Sequence, residues 1–406
     1  MMTAGCQRSA AGITQYIVAT VLLLLCNASS LPAQAGCPPN EHNLPSVRYS
    51  REDVAAGRLP ETAALDRMLL QVGNERLNVA VVTDAGRDLL DDSWPDFRPQ
   101  SRLMLVALAT GRLIWELKQA THATAHAIFR SDPRLTAPFG AAAVLHSRDG
   151  LAKRLYVGDG HSRVWRIDLP ALPQIQESGV EEAATDWTLT LLADLTPAAS
   201  DVPLQFRVAP DLVRSIDSNG TPFDGVLITS EGAVAAASDD VGNGLFFLRD
   251  YAVHMRGPGE APPDVITWRD LAPLRSQGLA GSGAGWFAPF QTGSEIALYR
   301  PLTDGGRVFL VTASPASTCG EPALALTYVF NLSDGRPIET TVPGSVAGVG
   351  RLGGPIIEGR EIVLPGRGVA LPISVEGENT RFRTRFTAEG IFARIAYWRD
   401  FLLDVD

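Results

Sequence analysis

Short apolar runs that alternate with polar residues, interrupted by Gly, Asp, Asn or Pro, dominate the chain. Residues 154–170 (RLYVGDGHSRVWRIDLP) set the pattern. Tyr156 and Val157 open an apolar run, Gly158, Asp159 and Gly160 break it, and Val164 to Leu169 resume a period of two. Two such runs around a Gly/Asp/His/Ser turn predict a β-hairpin with half-buried strands. A second hairpin is predicted over residues 103–117, with its turn at Ala109, Thr110 and Gly111. Further strands are expected at 78–83, 141–145, 187–192, 205–209, 226–229, 244–254, 285–290, 296–299, 307–312, 323–330, 362–364, 381–386 and 391–398. Residues 121–127 tolerate a helix but carry no apolar stripe, and no segment offers the helical period a βαβ unit requires. The expected fold is all-β.

Internal similarity narrows the architecture. VALATGR at 106–112, RIDL at 166–169 and FNLSDGR at 330–336 each end an apolar strand in Leu before a tight turn. Gly111 and Gly335 then supply the positive φ such turns need. Repeated four-stranded units of roughly 40 to 50 residues are how a β-propeller hides its sheet edges, and roughly 370 residues at that period give six to eight blades. A pair of β-sandwiches is the alternative.

The first residues change where the fold begins. Arg8 is the only charge in residues 1–35, residues 16–26 (YIVATVLLLLC) are apolar, and Ala33-Gln34-Ala35 forms an A-x-A cleavage signal. The apolar run is shorter than the roughly 20 residues of a membrane span. Residues 1–35 are therefore expected to be a signal peptide, with a retained anchor as the alternative. Residues 36–75 follow as an extended leader, and 76–406 as the propeller. The expected location is outside the cytoplasm: periplasm, outer-membrane surface or pilus. Cys6 and Cys26 leave with the signal, so Cys37 and Cys319 remain, and in an oxidising compartment they most simply form a disulfide. Two free thiols are the alternative. The net charge of −10 leaves no electrostatic footprint for nucleic acid or an anionic membrane surface.

The strand followed by A-L-x-T-G-x-x-x-W over residues 107–115 resembles the repeat of quinoprotein-type propellers. A more specific likeness covers residues 141–330. Tyr156, Gly158 and Asp159, followed by Trp165, Arg166, Asp168 and Leu169, resemble the Y-x-G-D-x-x-G-x-x-W-R-x-D-L hairpin of the PilC/PilY family of type IV pilus accessory and tip proteins. Ser162 stands where that pattern has its second Gly. Residues 244–250 (GLFFLRD), Trp268 to Leu271, Gly285-Trp286-Phe287, and residues 306–312 followed by Pro315 and Cys319-Gly320 are similar to later family phrases, as is Tyr397-Trp398-Arg399-Asp400. The resemblance implies a propeller that acts in pilus biogenesis or adhesion. Its expected partners are pilins or minor pilins, or a host or surface receptor. The family's calcium loop precedes the hairpin; here that place holds residues 145–153, where Asp149 is the one acid beside Arg148 and Lys153. Asp149 thus marks a degenerate loop.

Other candidate chemistry is sparse. Asp217, Asn219 and Asp224 have oxygens at a spacing that could share a calcium ion, although Asp, Asn and Gly also suit a hairpin turn. His122 and His126 lack the Glu of H-E-x-x-H, and no G-x-S-x-G is present. Trp115, Trp165, Trp286 and Trp398 suit packing between blades. The expectation is a non-enzymatic exported propeller that binds protein through its loops and has no cofactor except, at most, calcium. A quinoprotein-like dehydrogenase or other propeller enzyme is one alternative, and a periplasmic outer-membrane assembly scaffold is another.

Overall fold

The computed structural model describes residues 50–56, 65–83, 94, 101–118, 139–171, 187–197, 203–231, 243–256, 260–273, 283–291, 295–297, 299–314, 323–339, 344–346, 356–358, 361–365 and 379–383. The chain divides into two compact units, Met1–Val47 with Thr318–Gly320, and Arg48–Ser317 with Glu321–Asp406. Every described residue belongs to the second. Residues 1–35, Cys37, Cys319, His122, His126 and Trp398 lie outside the described residues.

The described residues are all-β apart from a five-residue helix α1 (Arg51–Ala55) and a 3-10 turn at Trp268–Asp270. Four sheets follow one another along the chain, with a three-stranded fifth after them. The first is the meander β1 (Leu65–Val72), β2 (Glu75–Thr83), β3 (Ser101–Ala107) and β4 (Leu113–Lys118). The second holds β5 (Phe139–His146), β6 (Ala152–Asp159), β7 (Arg163–Asp168) and β8 (Thr188–Asp194). The third is built on β9 (Asp211–Ile216), β10 (Pro222–Thr229) and β11 (Gly244–Asp250).

Between the second and third sheets the chain crosses twice. After β11 it pairs β12 (Ile266–Thr267) in parallel with β8, then returns as β13 (Leu271–Pro273) beside β14 (Gly285–Pro289), which pairs with β11. The fourth sheet contains β15 (Ile296–Ala297), β16 (Leu302–Asp304), β17 (Arg307–Ser314), β18 (Ala323–Asn331), β19 (Pro337–Glu339) and β20 (Gly344–Val346). The fifth comprises β21 (Ile356–Glu358), β22 (Glu361–Pro365) and β23 (Asn379–Arg383).

The first four sheets stack in series, which is the arrangement of propeller blades. One apolar core joins sheets one and two, with Trp115, Trp165 and Trp187 in it, and Trp115 meets Trp187 at 5.2 Å between ring centroids. A second core joins sheets two and three, and a third, containing Trp286, joins sheets three and four. The first strands also lie side by side: β1 against β5, β5 against β9, and β9 against β16. Thr303 of β16 donates to Asp211 of β9 at 2.6 Å.

Some strands differ from the sequence reading. β1 falls inside the stretch read as a leader, yet it pairs along its whole length with β2. Residues 205–209 form only a bridge, Gln205 with Glu231, because their backbone is used elsewhere. Phe206 N–H donates to the Asp159 carbonyl at 3.1 Å, and the Arg207 carbonyl accepts from Ala141 at 2.9 Å. Pro210, with no N–H, ends this strap, and β9 starts after it. The predicted turns hold: φ is +70° at Gly111 and +72° at Gly335.

Candidate functional site

The β6–β7 hairpin is built by its own polar residues. The Asp159 carboxylate accepts the N–H of His161 at 2.7 Å and of Arg163 at 3.0 Å through one oxygen. Its other oxygen accepts Trp165 Nε1–H at 2.9 Å. Burial pushes the Asp159 carboxyl above its ordinary range, while these three donors oppose the shift. Gly158 is required by close approach: a Cβ there would sit 2.2 Å from Phe206 Cβ on the strap. Ser162 has φ +65° and is the one positive-φ non-glycine among the described residues. Its Oγ accepts Leu204 N–H at 2.7 Å and its carbonyl accepts Leu195 N–H at 2.7 Å, which offsets the strained backbone.

From this hairpin a buried network crosses to the third sheet. Arg154 donates to Asp168 at 2.7 Å and also to Asp224 of β10. Arg166 meets Asp168 at 2.9 Å and Asp250, at the end of β11, at 2.8 Å. Tyr156 donates its hydroxyl to Asp250 at 2.8 Å, and Arg214 of β9 contacts Asp224 at 3.0 Å. Three guanidiniums face three carboxylates, so the cluster is neutral. Except for Arg214, its members are nearly inaccessible. Burial, with Asp224 and Asp250 close by, holds the Tyr156 hydroxyl protonated well above its ordinary range. Paired and hydrogen-bonded charges of this kind are costly to bury and costlier to break.

Arg166 reaches further. Its remaining donors bind the carbonyls of Ala252 at 2.6 Å and His254 at 2.7 Å. Thr188 Oγ1–H points to the Arg256 carbonyl at 3.5 Å, and Arg256 donates back to Thr190. The stretch 251–256, of which the sequence suggests 251–254 as the end of a strand, is thereby bent into a strap tied to the second sheet.

The sequence-predicted ligands are placed apart. Asp217 closes the β9–β10 turn, its Oδ1 accepting the N–H of Asn219 and of Thr221 at 2.8 Å each. The Thr221 N–H foremost, together with that of Asn219, holds this carboxyl below its ordinary range. Asn219 is exposed on the same turn, whereas Asp224 is directed into the buried network. Asp149 accepts Ser147 Oγ–H, which lowers its carboxyl, and lies 3.5 Å from Arg76. Among the described residues no three His, Cys, Asp or Glu side chains gather into a metal-holding group. Sequence reasoning missed Arg154, Arg166, Asp168 and Asp250 as one cluster. The available signal was charge at positions whose strand neighbours are apolar.

Beside this network a cleft of about 430 Å³ opens between β1, the β5–β6 turn, the end of β7 and the strap. Leu70, Leu151, Leu169 and Pro170 are apolar parts of its wall, Met255 reaches it from the strap, and Lys153 and Arg148 bring positive charge.

Neither a protein-family model nor a curated protein matches the sequence. Among solved structures, the chain is similar to the PilY1 C-terminal domain of Pseudomonas aeruginosa, at 16% identity over 67% of this chain with a TM-score of 0.44. It spans 59% of the length of that chain. It is also similar to the endo-arabinase of Bacteroides thetaiotaomicron VPI-5482, at 12% identity over 80% of this chain and 96% of that one, with a TM-score of 0.30.

Proposed function

We propose that this protein is a non-enzymatic exported propeller that acts in type IV pilus biogenesis or pilus-mediated adhesion by binding protein through its loops. The observation that carries the reading is the use made of the hairpin residues shared with the PilC/PilY pattern. Tyr156, Gly158, Asp159, Trp165, Arg166 and Asp168 all serve to fix the turn or to join one sheet to the next. A pattern spent on scaffold leaves recognition to the loops that the scaffold holds, and propellers host many functions in that way.

The test pairs a deletion strain with a pull-down. Loss of surface pili on deletion, together with pilins retained on the immobilised full-length chain, is the expected outcome. Normal piliation together with no pilin retained would remove the reading.

A further inference from the structure

We infer that the cleft beside the buried network is a peptide site, taking a partner segment that carries apolar side chains next to carboxylates. The inference rests on the protein-binding reading above and assigns that reading a place on the molecule.

Three observations point to this chemistry. First, the wall is apolar and in part open to solvent: Leu70 and Leu169 belong to the buried core behind it, Leu151 and Pro170 are half-buried, and Met255 is 43% exposed, one of the few large exposed hydrophobics among the described residues. Methionine suits a surface that must fit an irregular apolar partner.

Second, the wall is fixed in advance. Met255 lies between His254 and Arg256, whose carbonyls are bound by Arg166 and Thr188, and Arg166 is itself fully buried. A ligand therefore meets a strap that is already ordered, which reduces the entropic cost of binding.

Third, the charge is locally reversed. The chain carries a net charge of −10, yet Lys153 and Arg148 line this cleft. Among the described residues that line it, Asp149 is the one acid, and it accepts from Ser147 and lies 3.5 Å from Arg76. An acidic, apolar segment matches that field, and a basic one is repelled by it. The open cleft, bounded by turns and strand ends, suits an extended segment with one or two anchoring side chains.

The chain has two lysines, Lys118 and Lys153, so amine labelling of the intact protein gives a simple readout. The probes are a labelled hexapeptide of alternating Leu and Glu, and the same peptide with Lys in place of Glu. The Leu/Glu peptide is expected to bind and to slow reductive methylation of Lys153 but not of Lys118. Lys153→Glu should invert the preference between the two peptides. Met255→Ser, at an exposed site that leaves the fold intact, should weaken Leu/Glu binding by about tenfold.

Equal binding of both peptides, or binding unchanged in both variants, overturns the site. Pilins retained equally by the wild type, Lys153→Glu and Met255→Ser would remove this cleft as the contact and leave the protein-binding reading standing. Pilins retained by none of them, with the Leu/Glu peptide still bound, would keep the cleft and remove the pilus reading.

Discussion

The junction between sheets two and three and the junction between sheets three and four both pack apolar and aromatic side chains, and they differ in the buried ion pairs that the first adds. The latter is an aromatic ladder: Phe247 to Trp286 at 5.5 Å, Trp286 to Phe330 at 6.1 Å, Phe330 to Tyr328 at 5.5 Å and Tyr328 to Phe290 at 5.9 Å. The former keeps an apolar core but adds three buried or partly buried guanidiniums and three buried carboxylates. Ring packing tolerates small shifts between sheets, since most of its stabilisation is non-directional apolar burial and only a smaller part depends on ring geometry. Charge pairs in a dry junction do not, because a displaced carboxylate loses its partner where no water replaces it. The charged junction is also the one that ties down the 251–256 strap, so the ordered strap lies beside the proposed peptide cleft.

The contrast can be broken most severely at Arg166. Arg166→Ala removes contacts to Asp168, Asp250 and two carbonyls, and should cost about 3 to 5 kcal/mol in urea unfolding, by leaving carboxylates buried and uncompensated. Gly158→Ala should cost about 1 to 3 kcal/mol, because the new methyl meets Phe206 on the 205–209 segment and the packed junction has to move. On the aromatic side, Trp286→Phe keeps the ring but loses the bond from Nε1 to the Leu332 carbonyl, for about 1 to 2 kcal/mol. Similar losses at Arg166 and Trp286 would erase the distinction drawn here.

The smallest expected effect is at Asp217. Its carboxyl is held below the ordinary value of 3.8, so the stability it contributes is present above that value and is lost as pH falls through the lower folded value. Asp217→Asn should therefore lower the melting temperature slightly at neutral pH and converge with the wild type at acid pH, which flattens the acid limb of the profile.

Much of this was legible in the residues. Short apolar runs bounded by turn residues marked β2, β6, β7, β17 and β18, although β6 and β7 are buried on both faces where the sequence predicts half-buried strands, and Gly111 and Gly335 marked turns by the positive φ they adopt. β1 was hidden because Asp66, Arg67 and the outward Leu69 blur an alternation carried by Met68, Leu70 and Val72. β12 and β13 are too short to show a period. The buried network was out of reach for a different reason. Arg154 and Asp224 are 70 residues apart, and Arg166 and Asp250 are 84 apart, so spacing along the chain says nothing of their pairing. Asp224 drew attention as a possible calcium ligand because it follows Asp217 and Asn219 in sequence. The pleat turns it instead toward Arg154 and Arg214.

The charges of the β6–β7 hairpin lock the second sheet to the third. A double-mutant cycle on Arg166 and Asp250, with Arg166→Met, Asp250→Leu and the pair measured by urea unfolding, tests it most directly. A coupling of about 2 to 3 kcal/mol is predicted for a buried pair in one network, whereas additivity within about 0.5 kcal/mol would contradict the claim.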